Sequence, residues 1–212
     1  MYKENFGNIP NKDKVRSMVE EAYKKNPGSW IIHAHVVGKT AEKMAKEIGL
    51  DPDIAYACAY LHNIGESSSY EGMRSLIEAF RILRSESYFF PARIALGYSF
   101  VDNDIRFYGG EKNISDRDLE IIKNFLRQRE IGPYDRLIMV LDNLIGEDYL
   151  GFEKRKLEKE PIDLDPEFRQ KREEIIRSYI DDLEKILEKP IKSYLPRPKY
   201  YKFPYNLFSK DN

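Results

Sequence analysis

Apolar residues recur every three or four positions along most of the chain, which is the spacing of an amphipathic α-helix. No segment alternates apolar and polar residues over a strand length, and no internal repeat is visible. The pattern predicts helices around residues 15–23, 37–48, 52–65, 72–84, 91–96, 116–126, 134–145 and 168–186. The segment 134–145 is apolar on nearly every side, so we expect this helix at the centre of the fold. The fold class expected from this pattern is all-α, as a single compact domain.

Helix boundaries are marked by turn and capping residues. Asp51-Pro52 is typical of an N-cap followed by proline in the first helical turn. Gly65 is predicted to end the same helix as a glycine C-cap. Residues 151–163 are charged and resemble a linker. The segment 194–208 is rich in aromatic residues and proline, and we expect it to lie as an extended strap over the helical body or over a partner subunit.

Composition and charge narrow the function classes. The 212 residues contain 35 basic and 36 acidic side chains, for a net charge of −1, which disfavours general binding to nucleic acid. The single cysteine excludes a disulfide framework and a thiolate metal cluster. Residues 1–14 lack the apolar core of a signal peptide, and no apolar run approaches the ~20 residues of a membrane span. We therefore expect a cytoplasmic protein with no membrane partner.

Three polar residues fall within or beside apolar helical stripes, namely His33, His62 and Asp142. The histidines of the chain are His33, His35 and His62. His33 shares the stripe of its helix, and the ~100° step per residue predicts that His35 points away from the core if His33 points into it. Asp142 lies within the most apolar helix, where an ionised carboxylate is costly unless it is paired or bound to a metal. Each of these residues also has a purely structural interpretation, as a hydrogen-bonded core histidine or as an aspartate paired with arginine.

Three stretches resemble the HD superfamily of metal-dependent phosphohydrolases. They are WIIH at residues 30–33, GLDPDIAYACAYLHNIG at 49–65, and YDRLIMVLDNLIG at 134–146. The resemblance covers roughly residues 12–155 and implies an HD-type helical domain over 1–150, with a C-terminal helix and tail over 151–212 packing on it. It implies that His33, His62 and Asp142 are metal ligands.

The chain departs from the family pattern at the paired aspartate, which is Asn63 here. Asparagine offers a neutral carbonyl oxygen in nearly the same place but brings one negative charge fewer. By this resemblance Ser75 and Tyr98 stand near positions where many relatives have further histidines. The resemblance therefore implies one divalent metal ion, held by His33, His62, Asn63 and Asp142, and donor chemistry does not distinguish Mn, Fe, Ni, Zn and Mg.

Other polar residues are candidates for catalysis and substrate binding. Glu66, together with Asn63, is the candidate for water activation, with a solvated surface glutamate as the alternative. Lys39 and Arg74 are the candidates for binding a small phosphate-containing ligand. Three functions stay open: hydrolysis of a nucleotide or other small phosphate ester, a degenerate HD domain that binds nucleotides without turnover, and a structural helical protein whose partner docks on the aromatic tail. A homodimer is compatible with that tail.

Overall fold

The computed structural model describes residues 6–158 and 164–196, and within them the regular structure is helical, without a strand. The helices are α1 (Lys12–Lys25), α2 (Trp30–Glu47), α3 (Pro52–Leu61), α4 (Gly72–Ser85), α5 (Phe89–Gly97), α6 (Asp116–Gln128), α7 (Pro133–Asp142), α8 (Phe152–Glu158) and α9 (Pro166–Leu187). Short 3-10 turns span Ile64–Ser68, Ile105–Phe107 and Ile191–Tyr194. The all-α prediction is confirmed.

The centre of the fold is the pair α2 and α3, with α7 packed against both. Asp51 caps α3 as predicted, because its side chain accepts hydrogen bonds from the backbone N–H groups of Asp53 and Ile54. Every residue of α7 from Leu137 to Asp142 is buried, in agreement with the apolar sequence of this helix. Three segments distant in sequence therefore meet in one core.

A buried ion pair fixes the start of α7. The carboxylate of Asp135 is fully buried and accepts hydrogen bonds from the guanidinium groups of Arg93 and Arg129 and from the backbone N–H of Gly132. Arg129 is buried as well, and desolvation lowers its pKa despite the adjacent carboxylate. The network ties α7 to α5 and α6, and so helps to place Asp142 at the other end of α7.

The expectation that only one of His33 and His35 points into the core is wrong. His35 is 3% exposed, and its Nδ1 is 3.0 Å from the hydroxyl of Tyr60. The reason is that α2 is covered on more than one side, so its polar residues are buried on two faces. Burial lowers the pKa of His35 to about 4, which keeps the imidazole neutral.

Gly65 does not end α3 as a C-cap, because α3 ends at Leu61 and the chain continues in the 3-10 turn Ile64–Ser68. A Cβ at position 65 would lie 2.0 Å from the backbone oxygen of Ser75. Glycine is therefore needed here so that α4 can approach the turn that follows His62 and Asn63.

The C-terminal part differs from the sequence expectations in two places. Residues 152–158, predicted to be linker-like, form α8. The periodicity of residues 168–186 predicts Ile186 on the apolar face of its helix, but the residue buried at this end of α9 is Leu187, and Ile186 is 62% exposed. Tyr194 is buried and donates a hydrogen bond to Glu47 on α2 at 2.5 Å. Most of the proposed strap, from residue 197 onward, lies outside the described residues.

Candidate metal centre

Three residues, each within or directly after a different helix, bring their side chains together at one end of the core. His33 lies in the first turns of α2, His62 directly follows α3, and Asp142 ends α7. The Nε2 atoms of the two histidines are 3.2 Å apart, and Asp142 Oδ1 lies 3.3 Å from His33 Nε2 and 3.8 Å from His62 Nε2. All three residues are buried.

The hydrogen bonds of the two Nδ1 atoms orient the imidazole rings of His33 and His62. Nδ1 of His33 is 3.1 Å from the carbonyl oxygen of Gly146, and Nδ1 of His62 is 2.5 Å from that of Ala59. A carbonyl oxygen only accepts, so each Nδ1 donates a proton to its carbonyl, and the Nε2 of each ring is the atom that faces the cluster. Two imidazole Nε2 atoms and a carboxylate oxygen therefore converge, and these are atoms through which histidine and aspartate bind a cation.

Asn63 lines the same cavity as these three residues. Its Nδ2 donates to the carbonyl oxygen of Trp30 at 3.2 Å, which directs the amide. Asn63 is only 7% exposed. Its Oδ1 is buried on the wall of the cavity that the two histidines also line, and it has no hydrogen-bond partner among the described residues. A buried amide oxygen without a partner is costly, and a cation would satisfy it. The residues present thus fit a divalent metal ion.

The cluster opens into a cavity of about 610 Å³. Carboxylates contribute much of the charge of its walls, namely Glu66, Glu147, Asp148 and Glu158 in addition to Asp142. Arg155, from α8, also lines the cavity and was missed in the sequence analysis. Its segment carries both charges and has no motif, so only the folded arrangement reveals its position.

Of the residues predicted for catalysis and substrate binding, only the two catalytic candidates line this cavity. Glu66 and Asn63 line it, and Asn26 Nδ2 donates to the backbone oxygen of Glu66 at 2.6 Å. Lys39 and Arg74 are not among the lining residues: Lys39 Nζ lies 3.7 Å from Glu42, and the Arg74 guanidinium stacks 3.5 Å over the ring of Tyr70. Their assignment to phosphate binding stays a prediction.

The resemblance places Tyr98 and Ser75 near positions where many relatives have further histidines. Only Tyr98 lines the cavity. The ring of Tyr98 contacts the ring of His62 edge-on, with centroids 4.7 Å apart, and lines the cavity. Burial raises the pKa of Tyr98 well above its ordinary value, so this side chain stays protonated. Ser75 is buried against the turn at Gly65 and does not line the cavity.

Comparison with known families agrees with this geometry. A family model described as the HD domain matches residues 30–146, more than half of the chain. The protein therefore belongs to the HD domain family, the superfamily of metal-dependent phosphohydrolases, and the resemblance noted from the sequence is confirmed. Neither the curated proteins nor the solved structures gave a significant match. Among the described helices none is long and apolar enough to cross a membrane.

Proposed function

We propose that the protein hydrolyses a nucleotide or another small phosphate ester through one divalent metal ion bound by His33, His62, Asn63 and Asp142. The observation that carries this proposal is the convergence of two histidine Nε2 atoms and a carboxylate oxygen within 4.8 Å of one another, with both outer ring nitrogens bonded to backbone oxygens. Membership of the HD family supports phosphate-ester chemistry at this cluster.

The number of metal ions is proposed from the ligands. Within the described part of the chain, His33, His62 and Asp142 are the one group of three histidine or acidic side chains close enough to hold a metal ion. The remaining histidine, His35, contacts Tyr60 in the core instead. A neutral Asn63 in place of a bridging carboxylate supports a single ion, because two cations in contact need negatively charged bridging ligands.

The residues around the metal centre have distinct roles in the proposed reaction. A bound divalent cation would acidify water and polarise a phosphoryl oxygen. The backbone oxygens of Gly146 and Ala59 hold the two imidazole rings in place, so that their Nε2 atoms face the ion. The carboxylate of Glu66, on the wall of the same cavity, accepts the proton of the attacking water in this proposal. Tyr98 packs over His62 and shields it from bulk water.

One observation favours the alternative of a degenerate domain that binds a ligand without turnover. The amide Nδ2 of Asn63 donates to the backbone oxygen of Trp30. A carboxylate cannot donate this bond, so Asn63 has a structural role that is separate from catalysis. In the alternative function the cavity is retained for binding while hydrolysis is lost.

A panel of phosphate esters, tested with the metal-loaded protein, separates the two functions. We expect turnover that Asp142→Asn abolishes and Glu66→Gln lowers by about 100-fold or more, the usual range for loss of a general base. The control is Glu71→Gln, an exposed glutamate that does not line the cavity. Binding of esters without any turnover would support the degenerate domain. Turnover that Asp142→Asn leaves unchanged would contradict both.

A further inference from the structure

Arg155 lies in a part of the chain that the family match does not cover. It belongs to α8, after the matched residues 30–146, yet it lines the same cavity as His33 and Asp142. The side chain of Arg155 is 14% exposed, so most of it is packed against neighbouring residues. A helix outside the family domain thus contributes a cation to the metal centre.

Two contacts hold the guanidinium of Arg155 beside the metal ligands. Its Nε donates to the backbone oxygen of Asp142 at 3.1 Å, and its Nη1 pairs with Glu158 at 2.8 Å. A Cβ added at Gly146 would lie 3.6 Å from Nη1 of Arg155. Arg155 therefore sits over the residue whose carbonyl oxygen binds His33.

The charges of the cavity make Arg155 the candidate for phosphate binding. It is the one lysine or arginine among the described residues that line the cavity, whereas Glu66, Glu147 and Asp148 on the same walls are negative. These carboxylates repel a phosphate group, so the substrate needs a cation in addition to the metal. The planar fork of an arginine matches two oxygens of a phosphate group, which a lysine cannot do.

Glu158 occupies part of this fork with a carboxylate. The side chain of Glu158 is 50% exposed, and Glu158 is the last residue of α8. Its carboxylate can therefore move away from Arg155 without disturbing the core. Because the Glu158 carboxylate is half exposed, water can solvate it when it leaves the guanidinium, which lowers the cost of its exchange for a ligand. The geometry matches a carboxylate that a phosphate group displaces on binding.

We infer that Arg155 binds the phosphate group of the substrate, and that the phosphate displaces Glu158 from its guanidinium. This inference rests on the proposed function, because it assigns the phosphate-binding residue of the same site. It places that residue on α8, instead of at Lys39 or Arg74.

The test is calorimetric titration of inorganic phosphate into the metal-loaded protein, with metal affinity measured separately for each variant. Arg155→Met should weaken phosphate binding about 10- to 100-fold, the range for a lost charged hydrogen bond. Arg155→Lys should keep part of the affinity, and Glu158→Gln should strengthen binding severalfold. The matched control is Lys154→Met, an exposed neighbour on α8 that does not line the cavity, and it should bind as the wild type does.

The outcomes distinguish this inference from the proposed function. Equal phosphate affinity of Arg155→Met and the wild type, with intact metal binding, would overturn the role of Arg155 and leave the proposed function standing. Unchanged or weaker binding by Glu158→Gln would overturn the displacement of Glu158. A metal-loaded wild type that binds no phosphate would overturn the proposed function and this inference together.

Discussion

Replacing Asn63 by aspartate separates the two roles that the structure gives to this residue. In the wild type Nδ2 donates to the backbone oxygen of Trp30 at 3.2 Å, while the buried Oδ1 lines the cavity beside the metal cluster. Asn63→Asp removes the donor, sets a carboxylate oxygen against that backbone oxygen, and adds a negative charge to the site of Asp142. We therefore expect opposite effects on the metal-free and metal-bound forms.

The magnitudes follow from burial and charge. Without metal, a buried acceptor left without its donor costs about 1–3 kcal/mol, so Asn63→Asp should lower the free energy of unfolding by that amount. With metal, a unit negative charge about 4 Å from a divalent cation contributes ~8 kcal/mol at an effective dielectric constant of 20. Most of this gain is offset by the repulsion between the new carboxylate and that of Asp142 and by the desolvation of the added charge. We expect metal affinity to rise at least tenfold, about 1.4 kcal/mol.

Two assays read these effects independently. Urea unfolding in the presence of chelator measures the metal-free form, and calorimetric titration with Mn²⁺ measures binding. The matched control is Asn113→Asp, because Asn113 also donates its Nδ2 to a backbone oxygen, that of Glu71 at 3.0 Å, on an exposed segment outside the cavity. The control should leave metal affinity unchanged. Equal metal affinity of Asn63→Asp and the wild type would refute the assignment of Asn63 to the metal site.

Three further predictions address stability and substrate choice. Asp135→Asn breaks the buried pair with Arg129 and should lower the free energy of unfolding by about 3–5 kcal/mol in urea, whereas Glu153→Gln, in an exposed pair, should change it little. The hydrogen bond from Tyr194 holds the pKa of Glu47 below 4.5, so the stability that it contributes is present above pH 4.5 and is lost as the pH falls through the lowered pKa. Tyr194→Phe should therefore lower the melting temperature at pH 7 and much less at pH 3, and an equal loss at both would argue against this contact. Finally, the carboxylates of the cavity should make kcat/KM higher for a nucleoside monophosphate than for its triphosphate, with a smaller difference at high salt; a preference for the triphosphate would contradict this charge argument.

The sequence predicted the elements whose signals are local. Asp51-Pro52 identified the start of α3, because an N-cap acts within one turn. The apolar sequence of 137–142 identified the buried α7, because such a helix needs no partner to be recognised. Polar residues within apolar stripes drew attention to His33, His62 and Asp142, and the resemblance to the HD superfamily implied their role as metal ligands together with Asn63.

The features that were missed depend on contacts between distant segments. The sequence predicts a C-cap at Gly65, because the position of a glycine in the sequence does not show that the backbone of Ser75 excludes a Cβ there. The burial of His35 depends on the second layer of helices around α2. Arg155 reaches the backbone oxygen of Asp142 from a short, highly charged helix, and charged residues on such helices most often face solvent. The hydrophobic periodicity of a helix shows which of its faces is buried, but it does not show which distant segments of the chain contact that helix.

The measurement that tests the central claim most directly is the metal content of the protein, purified without chelator and without an affinity-tag metal, by elemental analysis. The arrangement of His33, His62, Asn63 and Asp142 predicts close to one equivalent of a divalent metal per chain, and its loss in Asp142→Asn. A wild-type protein that holds no metal, and takes up none when Mn²⁺, Fe²⁺, Ni²⁺, Zn²⁺ or Mg²⁺ is supplied, would contradict the metal centre and the hydrolase function built on it.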